Sequence, residues 1–206
     1  MINSAVTLRQ TRQPRQSLQP QSESHPAVPV PDRSIVLIGL MGAGKSRVGK
    51  RLAERLGLPF ADADQEIERE TGKTVSELFA TVGEAAFRAR ERNMIHRLLS
   101  GPLAVIASGG GAYLDPMTRD EIRALGRSVW LRADLETLVE RTSRSNRRPL
   151  LEGVDRRAKL AELMERRYPI YAEADLVVDS CTGPIEATVD AVIAALDGGS
   201  APSSSS

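Results

Sequence analysis

Residues 39–46 read Gly39-Leu40-Met41-Gly42-Ala43-Gly44-Lys45-Ser46 and satisfy the pattern G-x-x-x-x-G-K-[ST] at every fixed position. Gly42 and Gly44 let the backbone turn so that successive N–H groups face inward, where phosphate oxygens satisfy them. A helix starting near Lys45 adds its positive dipole end at the same point. Lys45 reaches the β- and γ-phosphates, and the Ser46 hydroxyl joins a Mg2+ shell. The bland alternative is a glycine-rich turn with an incidental lysine. However, an apolar run at 34–38 precedes the stretch and a helical pattern follows it. That context selects a nucleoside triphosphate with Mg2+.

A phosphate loop serves kinases, GTPases and motor ATPases alike, so the acceptor must be read elsewhere. Asp62-Ala63-Asp64 follows a short predicted strand, and alternation brings both carboxylates near its carboxyl end. One suits Mg2+ through water, and the other suits a substrate hydroxyl as positioning group or base. A helix cap beside a solvated turn residue is the competing reading. Ser108-Gly109-Gly110-Gly111 ends a third strand, where three glycines leave backbone N–H groups bare for a small polar ligand. That strand ends without an acidic residue, which counts against a switch GTPase or motor ATPase and leaves metal binding to Ser46 and Asp62. Arg88 and Arg167 sit on predicted helices, where a lone arginine is usually solvated. Between Arg141 and Arg167 stand eight Arg and one Lys against four acids. This segment includes the aperiodic stretch 143–150, and a basic stretch there reads as a mobile lid closing on the triphosphate. A nucleic-acid patch would need aromatic residues, and these make up only 3% of the chain.

These residues need a scaffold. Strands are predicted at 34–38, 59–63, 103–107, 128–131 and 176–179. Helices are predicted at 45–56, 64–72 with Asp64 as cap, 76–81, 84–100, 116–125, 134–142, 155–167 and 184–196. Alternation of this kind implies an α/β fold with a parallel sheet covered on both faces. Ligands then sit outside the carboxyl ends of the strands, where the four junctions named above lie. With 41% hydrophobic residues and 27% charged, the 206-residue chain builds one globular domain. The net charge of +1 gives no bulk attraction to nucleic acid or membranes, and no apolar run approaches the roughly 20 residues of a membrane span. Cys181 is the single cysteine, so no intrachain disulfide forms.

With the junctions assembled, the sequence resembles the shikimate kinases from about Ile35 to Leu196. The resemblance rests on the loop 39–46, Asp62-Ala63-Asp64, Gly83-Glu84 with Phe87-Arg88, Gly109-Gly110-Gly111, Arg148-Pro149-Leu150 and Arg167-Tyr168-Pro169-Ile170-Tyr171. It implies a three-layer P-loop kinase fold, with a five-stranded parallel sheet of order 2-3-1-4-5 and a lid at about 143–155. It implies MgATP as donor, shikimate 3-phosphate as product and a place in chorismate and aromatic amino-acid synthesis. By the same resemblance, Gly42, Ala43, Gly44, Lys45, Ser46 and Arg47 hold the phosphates, Ser46 and Asp62 serve Mg2+, and Arg141 lies along the adenine. Asp64 meets the shikimate hydroxyls, while Arg88, Arg167 and the backbone of Gly109, Gly110 and Gly111 take the acceptor. Lys45, Asp64 and Arg148 are the catalytic set, with Arg148 reaching the phosphates from the lid. A cytoplasmic monomer is expected, with shikimate and ATP as its small-molecule partners and neither nucleic acid nor membrane.

Arg47 departs from the small residue frequent after the Walker serine, and the long amino-terminal extension is atypical. A gluconate kinase shares loop and fold but needs no pair of arginines for one carboxylate. A non-catalytic nucleotide-binding protein has no use for Lys45, Ser46, Asp64 and Arg148 together.

Residues 1–33 and 198–206 are expected to be disordered extensions around a domain at 34–197. From Gln10 to Pro31 there are five Gln and five Pro, with almost nothing large and apolar to pack. Truncation of residues 1–31 is therefore expected to leave turnover intact and to move the melting temperature by only a few degrees, on the order of 1 kcal/mol. Calorimetry beside an activity assay checks this.

Overall fold

The computed structural model describes residues 31–143, 154–180 and 183–198. All but residues 31–33 and 198 of the extensions expected at 1–33 and 198–206, together with Arg148 and most of the expected lid, lie outside those residues. The elements run β1 (Ser34–Ile38), α1 (Lys45–Leu56), β2 (Phe60–Asp62), α2 (Ala63–Thr71), α3 (Val75–Leu99), β3 (Val105–Ala107) and a short 3-10 turn (Ala112–Leu114). They continue with α4 (Pro116–Leu125), β4 (Gly126–Arg132), α5 (Leu135–Ser143), α6 (Arg156–Tyr171), β5 (Leu176–Asp179) and α7 (Ile185–Gly198). The five strands form one parallel sheet of order β2-β3-β1-β4-β5, flanked by helices. This is the expected P-loop kinase architecture.

β1 is fully buried along its length, which its unbroken apolar run demands, because a central parallel strand is covered on both faces. It pairs with β3 from Ile35 to Leu37 and with β4 from Ser34 to Ile38. Side chains from α1 (Val48, Leu52, Leu56), α3 (Phe87, Met94, Ile95) and α7 (Val189, Val192) close the core around it. Because all strands run the same way, the ends of β1, β2, β3 and β5 open onto one edge of the sheet. The phosphate loop, Asp64, the triple glycine and Ser180 all follow those ends.

Two helix ends that bear on the site differ from the sequence-based expectation. Asp62, not Asp64, caps α2, with its Oδ1 accepting from Gln65 N–H at 3.4 Å. A cap needs extended backbone one residue before the helix, and Asp62 is still in β2 when the chain turns. The helices expected at 76–81 and 84–100 do part at Gly83, whose backbone is not helical, and together they span α3. Helix α6 does not stop at 167 but carries Pro169 inside it to Tyr171. The backbone hydrogen bond that proline removes is offset by burial of Tyr171 and by phenol hydrogen bonds from Tyr168 to Ala133 O and from Tyr171 to Gly110 O.

Gly83 has φ 79° and ψ 167°, a region essentially reserved for glycine, and a Cβ there would meet nothing within 4 Å. Gly83→Ala therefore adds backbone strain without a clash. It is expected to cost about 1–3 kcal/mol in chemical denaturation. An unchanged midpoint would mean that the kink relaxes into continuous helix.

Candidate active site

The chain leaves β1 at Ile38 and enters α1 at Lys45 through a loop in which Gly42 and Gly44 adopt left-handed φ values of 87° and 91°. Three ties hold this loop in shape. Lys45 Nζ donates to Gly39 O at 2.8 Å and to Leu40 O at 3.1 Å. Ser180, the first residue after β5, donates from Oγ to Ala43 O at 2.9 Å and accepts from Arg141 Nη1 at 2.9 Å. Arg141 Nη1 also lies 3.4 Å from Gly42 O. Sequence reasoning passed over Ser180, because nothing local marks a serine that acts across the sheet. Arg47 is exposed in the first turn of α1.

Ser46 Oγ donates to Asp62 Oδ2 at 2.6 Å. A hydroxyl beside a carboxylate at a phosphate loop is a hard-oxygen set that leaves room for waters and phosphate oxygens, which is what Mg2+ prefers. Among the described residues no group of three or more His, Cys, Asp or Glu could hold a metal by itself. The pair suits a Mg2+ whose remaining ligands are waters and phosphate oxygens.

The acceptor residues converge on the turn Gly109–Gly111. A Cβ on Gly109 would lie 2.1 Å from Glu91 Oε1 and 2.9 Å from Asp64 Oδ1, and one on Gly111 would lie 2.4 Å from Arg88 Nη2. A side chain at Gly109 or Gly111 would thus make Glu91, Asp64 or Arg88 shift. Gly110 is different: a Cβ there meets Arg167 Nη1 and Gly39 O at 3.6 Å and Met41 N at 3.8 Å, which are ordinary contacts. The same distances place this turn directly against the phosphate loop. Arg167 Nη1 donates to Gly110 O at 2.9 Å. Two acids thus crowd Gly109, while Arg167 meets Gly110 and Arg88 meets Gly111.

Glu91 is the member that sequence reasoning missed. It is 2% exposed, one helical turn beyond Phe87 and one before Met94 and Ile95, on the stripe of α3 that faces the core. The available signal was a charge on an otherwise apolar stripe. Its Oε2 accepts from Arg88 Nη1 at 2.6 Å, while Oε1 has no hydrogen-bond partner among the described residues. Burial pushes its carboxyl above the usual range against the pull of Arg88, Arg167 and Lys45. The Arg88 guanidinium lies 5.5 Å from the ring centres of both Phe79 and Phe87, so its apolar faces are packed while its edge is paired. Asp64 is pushed to about 7, chiefly by burial and then by the charges of Glu91 and Asp62; Lys45 and Arg88 only partly offset this.

A family model described as shikimate kinase matches residues 41–197 of the chain. The chain belongs to the shikimate kinase family. A shikimate kinase of Paramagnetospirillum magneticum is 58% identical over 164 residues, covering 80% of this chain and 84% of that one. One from Caulobacter vibrioides is 51% identical over 168 residues, covering 82% and 84%. Among solved structures, the shikimate kinase from Acinetobacter baumannii in complex with shikimate superposes with a TM-score of 0.79 at 36% identity, over 82% of this chain and 96% of that one. A gluconokinase from Sinorhizobium meliloti reaches 0.53 at 23% identity, which is a likeness of fold. Family membership and the site thus agree on a P-loop phosphotransferase. Among the described residues no helix is long and apolar enough to cross a membrane.

The Asp64 shift has a testable sign. Its carboxyl titrates from 3.8 in the unfolded chain to about 7 in the folded, ligand-free protein. Between those values the folded state holds a proton that the unfolded chain has released, so this group's contribution to stability falls as pH rises. Asp64→Asn is expected to raise the stability of the ligand-free protein by roughly 1–4 kcal/mol above about pH 7, with the gain vanishing towards pH 4. Thermal scans across that range decide it, and an equal gain at both ends would contradict the assigned shift.

Proposed function

We propose that the chain carries out the reaction of its family: transfer of the γ-phosphoryl group of ATP to the 3-hydroxyl of shikimate, giving shikimate 3-phosphate and ADP. The observation that carries this reading is the turn Gly109–Gly111, set against the phosphate loop with Asp64 and Glu91 at Gly109, Arg167 at Gly110 and Arg88 at Gly111. Shikimate is a compact carboxylate with three ring hydroxyls and needs that division of charge. Arg88 and Arg167 take the carboxylate, because a planar fork matches two oxygens where an ammonium meets them as a point. Asp64 takes the hydroxyl end.

On the donor side, Gly42, Ala43, Gly44 and Arg47 present backbone N–H groups to the phosphates, and Lys45 exchanges its two carbonyl partners for β- and γ-phosphate oxygens. Ser46 and Asp62 hold a nucleotide-borne Mg2+, whose chemistry is to neutralise charge on the phosphates. Arg141 lies along the adenine, and Arg148 meets the phosphates late in the reaction. The shikimate oxygen forms its bond to phosphorus as the bond to the bridging oxygen of ADP breaks. The hydroxyl proton leaves towards Asp64, the acid on the hydroxyl side. Such a transfer depends on positioning and charge neutralisation more than on covalent help. The same reading makes the protein a cytoplasmic monomer acting on two small molecules.

ADP release measured with shikimate, gluconate and nucleoside monophosphates tests the substrate; release with gluconate alone would transfer the assignment to the neighbouring sugar kinases. Arg88→Lys is expected to weaken shikimate binding by about ten- to a hundredfold, the equivalent of roughly 1.5–3 kcal/mol for a charge-assisted hydrogen bond. ATP affinity is expected to stay unchanged. Calorimetric titration of both ligands checks this, and a loss confined to ATP would remove Arg88 from the acceptor site.

A further inference from the structure

Tyr171 is fully buried and ends α6, four residues beyond Arg167 and therefore on the same helical face. Its ring lies in an aromatic cluster, with centroids 6.0 Å from Trp130, 6.2 Å from Tyr168 and 6.5 Å from Tyr113. Its hydroxyl does not bond within that cluster. It donates to Gly110 O, the same oxygen that Arg167 Nη1 reaches at 2.9 Å.

The three carbonyls of the glycine turn have different partners. Those of Gly109 and Gly111 accept the backbone N–H groups of Ala112 at 3.2 Å and Leu114 at 3.1 Å, as the entry to a 3-10 turn requires. The Gly110 carbonyl takes two side-chain donors instead, which uses both of its lone pairs. Gly110 has neither a positive φ nor a tight neighbour, so no backbone constraint sets its peptide; side chains must. A carbonyl dipole turned towards a bound carboxylate would repel it and would draw Arg167 away from it.

We propose that Tyr171 is a positioning residue for the acceptor: with Arg167, its hydroxyl holds the Gly110 carbonyl out of the anion's place. The N–H edge of the turn and the remaining N–H groups of Arg167 are then left for the shikimate carboxylate. This rests on the carboxylate assignment made above. The phenol is suited to the task, because it is a neutral donor that adds no second charge beside Arg167. Burial raises its pKa, so it keeps its proton throughout the working range. A buried carbonyl left with one donor fewer is poorly satisfied, and its peptide then has reason to turn.

The test compares Tyr171→Phe, Tyr168→Phe and Arg167→Lys in steady-state kinetics. Tyr171→Phe is expected to raise KM for shikimate about tenfold, with kcat and KM for ATP within about twofold of the parent. Tyr168→Phe removes a phenol from the same cluster, but one that bonds to Ala133 O, and is expected to leave shikimate KM unchanged. The double variant Tyr171→Phe with Arg167→Lys is expected to lose less than the product of the single losses, because both act through Gly110 O. If Arg167→Lys raises shikimate KM and Tyr171→Phe does not, the proposal is overturned and the carboxylate site stands. If Arg167→Lys leaves shikimate KM unchanged, the carboxylate site falls and the proposal with it. Equal losses in the two phenol variants would assign the effect to packing and overturn the proposal as well. In the parent protein, where folding of a variant is not at issue, the Tyr171 hydroxyl proton is expected as a slowly exchanging NMR resonance that persists under saturating shikimate. Its disappearance on adding shikimate would mean that the carbonyl turns on binding, contrary to the proposal.

Discussion

Glu91 keeps a carboxylate almost out of water on the inner face of α3, and Arg88, one turn earlier on the same helix, meets it at 2.6 Å. Much of the acceptor half follows from that pair. A buried charge is tolerated only when answered, and removing one partner of such a pair typically costs about 3–5 kcal/mol. The pair draws Arg88 against Gly111, and the other Glu91 oxygen presses on Gly109. Two of the three glycines therefore lie in direct contact with an ion pair on a neighbouring helix. Burial is the chief cause of the raised Asp64 pKa, and the Glu91 carboxylate adds to it through space.

The donor half is organised by hydrogen bonds that cross the sheet. Ser180 at the end of β5 reaches Ala43, Arg141 from α5 reaches Ser180, and Asp62 at the end of β2 reaches Ser46. A glycine-rich loop loses more conformational freedom on ordering than any other, so these ties supply part of the order that phosphate binding needs. Lys45 is held on the carbonyls of Gly39 and Leu40, which keeps its ammonium solvated by the protein and within the loop it serves. The two halves meet where Gly110 abuts Gly39 and Met41 of the phosphate loop.

Helix α6 shows the cost of that convergence. It carries Pro169 internally and continues to Tyr171, placing Arg167 and Tyr171 on one face against Gly110. Stopping before the proline would leave Tyr171 outside the helix and remove the i,i+4 relation. The aromatic cluster of Trp130, Tyr168 and Tyr171 buries enough ring surface to hold the last turn in place.

Local pattern was enough for the phosphate loop, the alternation of strands and helices, and the parallel sheet, because each depends on residues within a few positions of one another. The pattern 39–46, the apolar run of β1 and the stripe of α1 carry their meaning in their own spacing. Asp64, Arg88, Arg167 and the triple glycine were legible as candidates for the same reason, each following a strand or lying in a motif. The reasons behind them were not. That Gly109 and Gly111 accommodate charged side chains, that Asp62 caps α2 while accepting from Ser46, and that Glu91 is buried beside them are facts about distance across the fold. Ser180 carries no local mark, and Tyr171 was legible only as the end of the motif 167–171 with no role, since a hydroxyl's partner is set by which backbone it faces. Sequence periodicity determines which face of an element is apolar; only packing decides which charges end up sharing a dry space, and there the pKa of Asp64 and the orientation of Gly110 are settled.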